Sequence, residues 1–226
     1  MRFDAILFDF DGVLLESEYE LNRVMAELLT SLGHPTTAED ATRHFTGLSG
    51  QQFLDAVEAR IGMSLPPEFH DGMRERSRRA LSEGMAAVGG AVEFVRALPS
   101  GLPKAVASSS STRWVRTHLN HLGLSDAFEP HIYSGREHVS HGKPAPDLYL
   151  HAARELGVDI RRALIIEDSK VGATAALASG ALVIGLAAGR HCTDGHAAML
   201  QEIGVREVAN SFTELARMIG ADQTSR

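Results

Sequence analysis

Two aspartates near the start of the chain, Asp9 and Asp11, are the residues best suited by type and spacing to do chemistry. They follow the short apolar run Ala5–Phe8, which predicts a buried strand. Carboxylates at the end of a buried strand persist when a cation neutralises them or when one of the pair stays protonated. Both states are useful for catalysis. Because Gly12 follows Asp11, a solvated Asp-Gly turn is the alternative interpretation at this point.

The pattern beyond residue 86 indicates the sheet that would position this pair. Short apolar segments alternate there with helical periodicity, an order typical of a parallel sheet covered by helices on both faces. The segments are 104–107, 131–134, 163–166 and 182–184. We therefore predict the α/β class, with a Rossmann-like doubly wound parallel sheet. Ser211 and Glu214 form a capping-box pattern, which predicts the start of a last helix.

Residues 16–84 have no convincing strand pattern. Apolar residues recur there at helical spacing in three stretches, with Gly33 after the first and Pro66-Pro67 before the third. The segment is predicted to be a small helical unit inserted after the first strand. We place the α/β core at residues 1–15 and 86–226 and the helical insertion at residues 16–85.

Composition and charge exclude several classes of partner. The chain has 226 residues, of which 44% are hydrophobic, and a net charge of −7. The acidic balance argues against nucleic acid and anionic membranes as partners. The N-terminus lacks the apolar region of a signal peptide, and no apolar run approaches the ~18 residues of a membrane span. Cys192 is the one cysteine, which excludes an internal disulfide, and we expect a cytoplasmic protein.

Polar residues follow several of the predicted strands. In an open parallel sheet the functional site lies outside the carboxyl ends of the strands. Besides the two aspartates, those ends carry Ser108 after the run 104–107 and Glu167-Asp168 after the run 163–166. Residues far apart in sequence are therefore expected to meet at one edge of the sheet. That convergence favours a reactive carboxylate pair over a simple turn.

The residue types at this edge indicate phosphoryl transfer. Carboxylates with oxygen-only neighbours suit Mg²⁺, and Asp9 and Asp168 could ligate it. Ser108 could donate hydrogen bonds to phosphoryl oxygens. Lys143, in Gly142-Lys143-Pro144, could neutralise both a carboxylate nucleophile and the transferring group. A carboxylate that attacks phosphorus would form an aspartyl-phosphate.

Four motifs, in this order, resemble those of the haloacid dehalogenase superfamily, in its phosphatase and phosphomutase branch with a helical cap after the first strand. They are Asp9-Phe10-Asp11-Gly12-Val13, Val106-Ala107-Ser108, Gly142-Lys143-Pro144-Ala145-Pro146-Asp147, and Ile165-Ile166-Glu167-Asp168-Ser169 with Gly172. With residues 16–85 as the cap domain, the resemblance covers nearly the whole chain. It implies a Mg²⁺-dependent phosphatase acting on a small phosphorylated metabolite, such as a sugar phosphate, 2-phosphoglycolate or 6-phosphogluconate. It also implies a monomer, with a weak dimer as the alternative.

The resemblance assigns the covalent chemistry to three residues. Asp9 would attack phosphorus, and Lys143 would support that step by holding the phosphoryl group. Asp11 would protonate the leaving alkoxide and later activate the attacking water, and it would also bind Mg²⁺ through its backbone carbonyl. The two-residue spacing then has a reason, because one carboxylate must be ionised to attack and the other protonated to donate.

The remaining motif residues would bind the substrate and the metal. By the same resemblance, Ser108 and Ser109 would bind the phosphate group together with the motif lysine. Asp168 would ligate Mg²⁺ alongside the nucleophile. Glu167 would be either a further metal ligand or a neighbour of the ligands.

The cap loop is the expected specificity element, because in this branch it descends over the active site. An aspartate at position 11 favours phosphate over carbon–halogen chemistry, since the dehalogenases of the superfamily lack that acid. The predicted specificity residues are Thr46, Gly47, Leu48, Ser49 and Gly50.

Two alternatives to the phosphatase are considered. One is a β-phosphoglucomutase-like phosphosugar mutase, in which a histidine follows the nucleophile by twelve positions; this chain has Leu21 there. The mutase also has a cap-loop arginine where this chain has Gly50. Both departures favour water as the phosphoryl acceptor. The other alternative is a non-enzymatic receiver-like phosphoacceptor, which would be about half this length and lack the helical insertion.

Two clusters outside the motifs have structural interpretations. A basic run could meet an anionic substrate, but its positions do not share one helical face, and we interpret it as a solvated face. Its members are Arg74, Arg76, Arg78 and Arg79. Two histidine pairs have ligand-like spacing without a cysteine or acidic partner nearby, so we expect surface histidines rather than a zinc site. The pairs are His118/His121 and His138/His141.

Overall fold

The predicted parallel sheet is present in the computed structural model, which describes residues 3–45 and 50–220. The strands are β1 (Ala5–Phe8), β2 (Lys104–Ser108), β3 (Ile132–Ser134), β4 (Ala163–Glu167), β5 (Leu182–Leu186) and β6 (Glu207–Ala209). They form one sheet in the order β3-β2-β1-β4-β5-β6, and every neighbouring pair is parallel. The prediction of a doubly wound α/β fold is confirmed.

Helices account for most of the rest of the chain. They are α1 (Ser17–Ser31), α2 (Ala38–Phe45), α3 (Gly50–Ile61), α4 (Pro67–Glu83), α5 (Ala91–Ala97), α6 (Thr112–His121), α7 (Ser125–Phe128), α8 (Asp147–Glu155), α9 (Lys170–Ser179), α10 (His196–Glu202) and α11 (Phe212–Ile219). Serine side chains cap α6, α9 and α11 by accepting a backbone N–H. The cap of α11 is the predicted one, since Ser211 Oγ accepts from the Glu214 N–H at 3.1 Å.

Strand β1 lies at the point where the strand order reverses. Its four residues are fully buried, and it pairs with β2 on one side and β4 on the other. From β1 the chain first builds the sheet outward through β2 and β3, and it then returns to the other side of β1 with β4. In doubly wound folds such a reversal opens a crevice at the carboxyl ends of the strands. Asp9 is the first residue beyond β1, so the fold itself places this carboxylate at the crevice.

The chain divides into two compact units. One comprises residues 1–16 and 86–226 and holds the sheet; the other, Ser17–Met85, comprises helices α1 to α4. The first boundary therefore comes one residue later than the one predicted from the sequence, because Glu16 belongs to the unit that holds the sheet. The helical unit has its own buried apolar cluster, which includes Met25, Leu29, Phe45 and Phe69. No helix among residues 3–45 and 50–220 is long and apolar enough to span a membrane.

The predicted specificity loop lies mostly outside the described residues. Thr46, Gly47, Leu48 and Ser49 lie outside the described residues, and Gly50 begins α3.

The basic run is located on α4 and is largely paired within that helix. Arg74 pairs with Asp71, Arg78 with Glu75 and Arg79 with Glu83, and these arginine side chains are exposed. Such short-range pairs between exposed side chains are screened by solvent and contribute little to stability. The arrangement agrees with a solvated face.

The prediction of surface histidines is wrong for His118. This residue is fully buried, and its helical position lies beside those of the buried residues Val115 and Leu119. The Nδ1 atom of His118 lies 2.9 Å from the Trp114 carbonyl oxygen, and the two rings are 4.1 Å apart. The other three histidines of the two pairs are exposed, as predicted.

Candidate active site

A buried lysine joins two carboxylates at the carboxyl edge of the sheet. Lys143 Nζ lies 2.5 Å from Asp9 Oδ1 and 2.7 Å from Glu167 Oε1. Only 3% of the lysine side chain is exposed. Asp9 follows β1, Glu167 ends β4, and the lysine comes from the loop between β3 and α8. Three motifs that are distant in the sequence therefore converge on one ammonium group.

The ionisation of this cluster is governed by its burial. Burial raises the pKa of Asp9 well above its usual value; the Lys143 ammonium opposes that shift, while Glu167 and Asp168 reinforce it. Burial alone would lower the pKa of Lys143, but Asp9 and Glu167 outweigh it, and the net shift is upward. The lysine therefore stays charged. Three buried carboxylates lie around this one cation, so a further cation is needed for all three to be ionised together.

The acidic cluster fits a hard cation. One oxygen from each of Asp9, Glu167 and Asp168 can be chosen so that all lie within 4.8 Å of one another. Asp168 is 2% exposed, and its Oδ1 has no hydrogen-bond partner within the described part of the chain. Burial, together with the neighbouring Glu167, raises the pKa of Asp168 well above its usual value. An all-oxygen donor set with an unpartnered buried oxygen, in carboxylates that need a further cation to be ionised together, suits Mg²⁺.

Glu167 is held in place by donors on both of its oxygens. Besides the lysine, Tyr149 donates its hydroxyl to Oε1 at 2.8 Å. The backbone N–H groups of Asp168 and Ser169 and the Ser169 hydroxyl donate to Oε2 at 3.0 to 3.1 Å. A Cβ at Gly172 would lie 1.6 Å from Oε1, so the glycine of the fourth motif makes room for this carboxylate. Because both oxygens of Glu167 accept hydrogen bonds from these donors, the carboxylate is held in one orientation, and it holds the Lys143 ammonium in turn.

Asp11 has a different environment from Asp9, although it is two residues away. Its Oδ1 accepts a hydrogen bond from the Trp114 indole Nε1–H at 3.1 Å. Its Oδ2 accepts from the hydroxyls of Ser110 at 2.6 Å and Ser108 at 3.3 Å. Asp9 thus faces an ammonium, whereas Asp11 is held by neutral donors. Such a contrast between two neighbouring carboxylates is how enzymes separate the roles of acid and nucleophile.

Ser108 is buried at the end of β2, as its motif predicts. Its hydroxyl oxygen also accepts the Ser110 N–H at 2.9 Å, which fixes the turn that leads into α6. Ser109, predicted to bind phosphate, is exposed at that turn. The serine that contacts Asp11 most closely, Ser110, was not among the predicted residues.

Several residues of this site were missed by the sequence reasoning. Trp114 lies on α6 and Tyr149 on α8, and neither belongs to a motif that indicates its contact with Asp11 or Glu167. His191 lies on the loop after β5, with its Nε2 2.8 Å from Asp168 Oδ2. The one available signal was position, since this loop also follows the carboxyl end of a parallel strand.

A doubly wound sheet with a buried carboxylate–lysine cluster at its switch point defines an α/β enzyme core. The family model for haloacid dehalogenase-like hydrolases matches residues 6–186. The solved structure of a HAD family hydrolase from Deinococcus radiodurans R1, with bound phosphate and sodium, has a sequence 36% identical to this chain. It has a TM-score of 0.84, with 98% of this chain and 97% of that chain covered. The chain belongs to the haloacid dehalogenase-like hydrolase family.

The chain is also similar to two phosphatases of named substrate class. A phosphorylated carbohydrates phosphatase of Thermotoga maritima is 30% identical, over 78% of this chain and 82% of its own length. The 6-phosphogluconate phosphatase of Escherichia coli K12 is 25% identical, over 96% of this chain and 93% of its own length. The prediction of a phosphoric monoester hydrolase of the haloacid dehalogenase superfamily is confirmed by the family match and these relatives.

Proposed function

We propose that this protein is a Mg²⁺-dependent phosphatase that hydrolyses a small phosphorylated metabolite through an aspartyl-phosphate on Asp9. The observation that carries the proposal is the contact of Lys143 with both Asp9 and Glu167, beside the unpartnered oxygen of Asp168. A charged lysine opposes the upward shift in the pKa of Asp9 and so favours its ionised, nucleophilic form, and it neutralises the transferring group. The bound phosphate in the Deinococcus radiodurans relative supports the same ligand class here.

The residues divide the reaction into two steps. In the first, a carboxylate oxygen of Asp9 attacks phosphorus, the bond from phosphorus to the substrate oxygen breaks, and protonated Asp11 gives its proton to the leaving alkoxide. In the second, Asp11 takes a proton from water as the water oxygen attacks the phosphorus of the aspartyl-phosphate. The bond from phosphorus to Asp9 then breaks, and phosphate leaves. The neutral donors Trp114 and Ser110 hold Asp11 in place for both transfers.

Mg²⁺ would be held by Asp9 and Asp168, with the backbone carbonyl of Asp11 as a further ligand. When bound, it neutralises charge that develops on the phosphoryl oxygens. Glu167 acts next to the metal ligands, since both of its oxygens already accept hydrogen bonds. Ser108 and the turn at Ser109 supply donors to the phosphoryl group.

The substrate we propose is a sugar phosphate or a phosphoglycolate-type metabolite. The names of two relatives, a phosphorylated carbohydrates phosphatase and a 6-phosphogluconate phosphatase, support this class. We assign the helical unit, Ser17–Met85, as the cap, with residues 46–50 as the segment that selects the substrate. Leu21 and Gly50 lack the side chains by which a phosphosugar mutase would return the phosphate.

The test is phosphate release by purified protein with Mg²⁺, on p-nitrophenyl phosphate and on a panel of phosphorylated metabolites. We expect turnover that EDTA abolishes and excess Mg²⁺ restores. Asp9→Asn should be inactive while retaining the wild-type circular dichroism spectrum. Acid-quenched wild-type enzyme should contain phosphate on the peptide that includes Asp9. No turnover on any substrate, or full activity in Asp9→Asn, would overturn the proposal.

A separate assay distinguishes the mutase. Incubation with β-glucose 1-phosphate and a bisphosphate primer should release free phosphate. Accumulation of glucose 6-phosphate without free phosphate would instead establish the mutase. The double substitution Leu21→His and Gly50→Arg should raise the share of the isomerised product. An unchanged product ratio would show that these two positions do not decide between phosphatase and mutase activity.

A further inference from the structure

The loop between β5 and α10, residues 187–195, belongs to none of the four motifs, yet it contacts the acidic cluster. His191 Nε2 lies 2.8 Å from Asp168 Oδ2. The Arg190 N–H donates to both carboxylate oxygens of Glu16 at 3.1 Å, and Glu16 is itself buried. At the start of α10, His196 Nε2 lies 2.7 Å from the Asp168 carbonyl oxygen. The loop is therefore fixed on both sides of His191.

Two glycines leave the space that the contact between His191 and Asp168 occupies. Gly12 has a φ of +87°, and a Cβ there would lie 2.1 Å from Asp168 Oδ2 and 3.0 Å from His191 Cε1. A Cβ at Gly189 would lie 2.5 Å from the same ring carbon. The side chains of His191 and Asp168 are 1% and 3% exposed. The backbone at Gly12 and Gly189 therefore lies so close to the pair that no side chain fits at either position, which restricts the orientation of His191 and Asp168.

The two oxygens of Asp168 differ in what they contact. Oδ2 faces His191, whereas Oδ1 is buried and has no hydrogen-bond partner among the residues described. A carboxylate can rotate about its χ2 bond unless one oxygen is held. Because His191 holds Oδ2, the rotation that would exchange the two oxygens is opposed, and the buried Oδ1 is left available as a ligand. A leucine or phenylalanine at position 191 could fill the volume but could not oppose this rotation.

We infer that His191 is a positioning residue of the metal site: it donates Nε2–H to Asp168 and so presents the other carboxylate oxygen to the divalent cation. This inference rests on the proposed function, because it needs the cation to bind at Asp168. Groups that orient metal-ligating side chains typically contribute about 10- to 100-fold to metal affinity. The donor comes from the loop after β5, outside the segments that supply the other site residues.

The test measures metal binding directly, without turnover. Mn²⁺ titrated into apoprotein is followed by the electron paramagnetic resonance signal of the free ion. We expect His191→Phe and His191→Leu, which lack the donor, to bind Mn²⁺ about 10- to 100-fold more weakly than wild type. His191→Gln keeps an N–H donor at similar reach and should recover much of the affinity. His121→Gln, an exposed histidine at the end of α6, is the matched control and should bind as wild type.

The outcomes separate this inference from the proposed function. Asp168→Asn should lose Mn²⁺ binding; if it binds as tightly as wild type, the metal site of the proposed function is wrong. If Asp168→Asn loses binding while His191→Leu retains it, only the role of His191 is wrong. Equal weakening in His191→Gln and His191→Leu would also overturn the inference, because it would indicate packing alone. Thermal unfolding of each variant verifies that the folded protein is being compared.

Discussion

Trp114 Nε1 lies 3.1 Å from Asp11 Oδ1, so a helix outside the motifs orients the proposed acid. Trp114 belongs to α6, whose first turn is capped by Ser111. The position of Asp11 in the chain fixes its Cα. The hydrogen bond from the Trp114 indole N–H fixes the orientation of the Asp11 carboxyl group, and so the position from which it could donate a proton. The proposed proton donor, Asp11, is therefore positioned by two segments, β1 with its following turn and α6.

Trp114→Phe should lower kcat with a smaller effect on KM, because it removes the donor and keeps an aromatic ring in place. A hydrogen bond to a charged group contributes about 1.5–3 kcal/mol, so we expect a loss of about 10- to 100-fold on an alkyl phosphate. The loss should be smaller on p-nitrophenyl phosphate, whose leaving group needs less protonation. Steady-state kinetics on both substrates test this; an equal loss on both would contradict a role through Asp11.

Lys143→Met should destabilise the protein as well as inactivate it. The substitution leaves buried Asp9 and Glu167 without their cation, and breaking a buried ion pair in this way costs about 3–5 kcal/mol. Urea unfolding without added metal measures the loss. Lys170→Met, at an exposed lysine of α9, is the control and should change the free energy of unfolding by less than about 0.5 kcal/mol. Similar losses in the two variants would contradict the prediction.

Gly172→Ala should damage the site from inside α9. The added Cβ would lie 1.6 Å from Glu167 Oε1, so Glu167 must move away from Lys143 and Tyr149. Overpacking of this kind costs about 1–3 kcal/mol of stability. Because Lys143 would lose its contact with Glu167, kcat should also fall. Gly101→Ala, where an added Cβ meets nothing within 4 Å, is the control. The prediction fails if both variants unfold at the same temperature and turn over substrate equally fast.

His151 should make stability depend on pH. Burial lowers its pKa, Arg154 and His138 lower it further, and Glu155 opposes them. The unfolded chain therefore binds this proton more tightly, and the free energy of unfolding should fall as the pH drops below about 6.5. Its Nε2 is buried without a partner among the described residues, and its ring packs edge-on against Tyr133 at 5.0 Å.

His151→Phe should accordingly weaken this pH dependence without loss of stability at neutral pH. The phenyl ring retains the contact with Tyr133 and removes both the titration and the unpartnered nitrogen. Unfolding by urea at about pH 7.5 and about pH 5.5 measures the difference, with His121→Phe at an exposed site as the control. If His151→Phe loses as much stability on acidification as wild type does, another group is responsible.

The fold was predictable where burial leaves a strong signal in the sequence. Strands β1 and β4 are buried along their whole length, and almost all of their residues are therefore apolar, which is visible in the sequence as a continuous apolar run. Strand β6 and helix α2 were not foreseen, because Glu207–Ala209 is three residues long and Ala38–Phe45 has few apolar residues. Their formation depends on the neighbours they pack against, which no local pattern encodes.

The sequence by itself determined which groups meet at the carboxyl edge of the sheet. Parallel strands end at a common edge, so residues at or directly after the ends of β1, β2 and β4 must lie near one another. Ser108 ends β2, while Asp9 and Asp168 directly follow β1 and β4. Only the tertiary structure decided what orients them. Trp114 and His191 come from a helix face and a loop, where the direction of a side chain depends on packing over the whole core. Hydrogen-bond donors act over about 3 Å, a scale at which strand order predicts proximity but not contact.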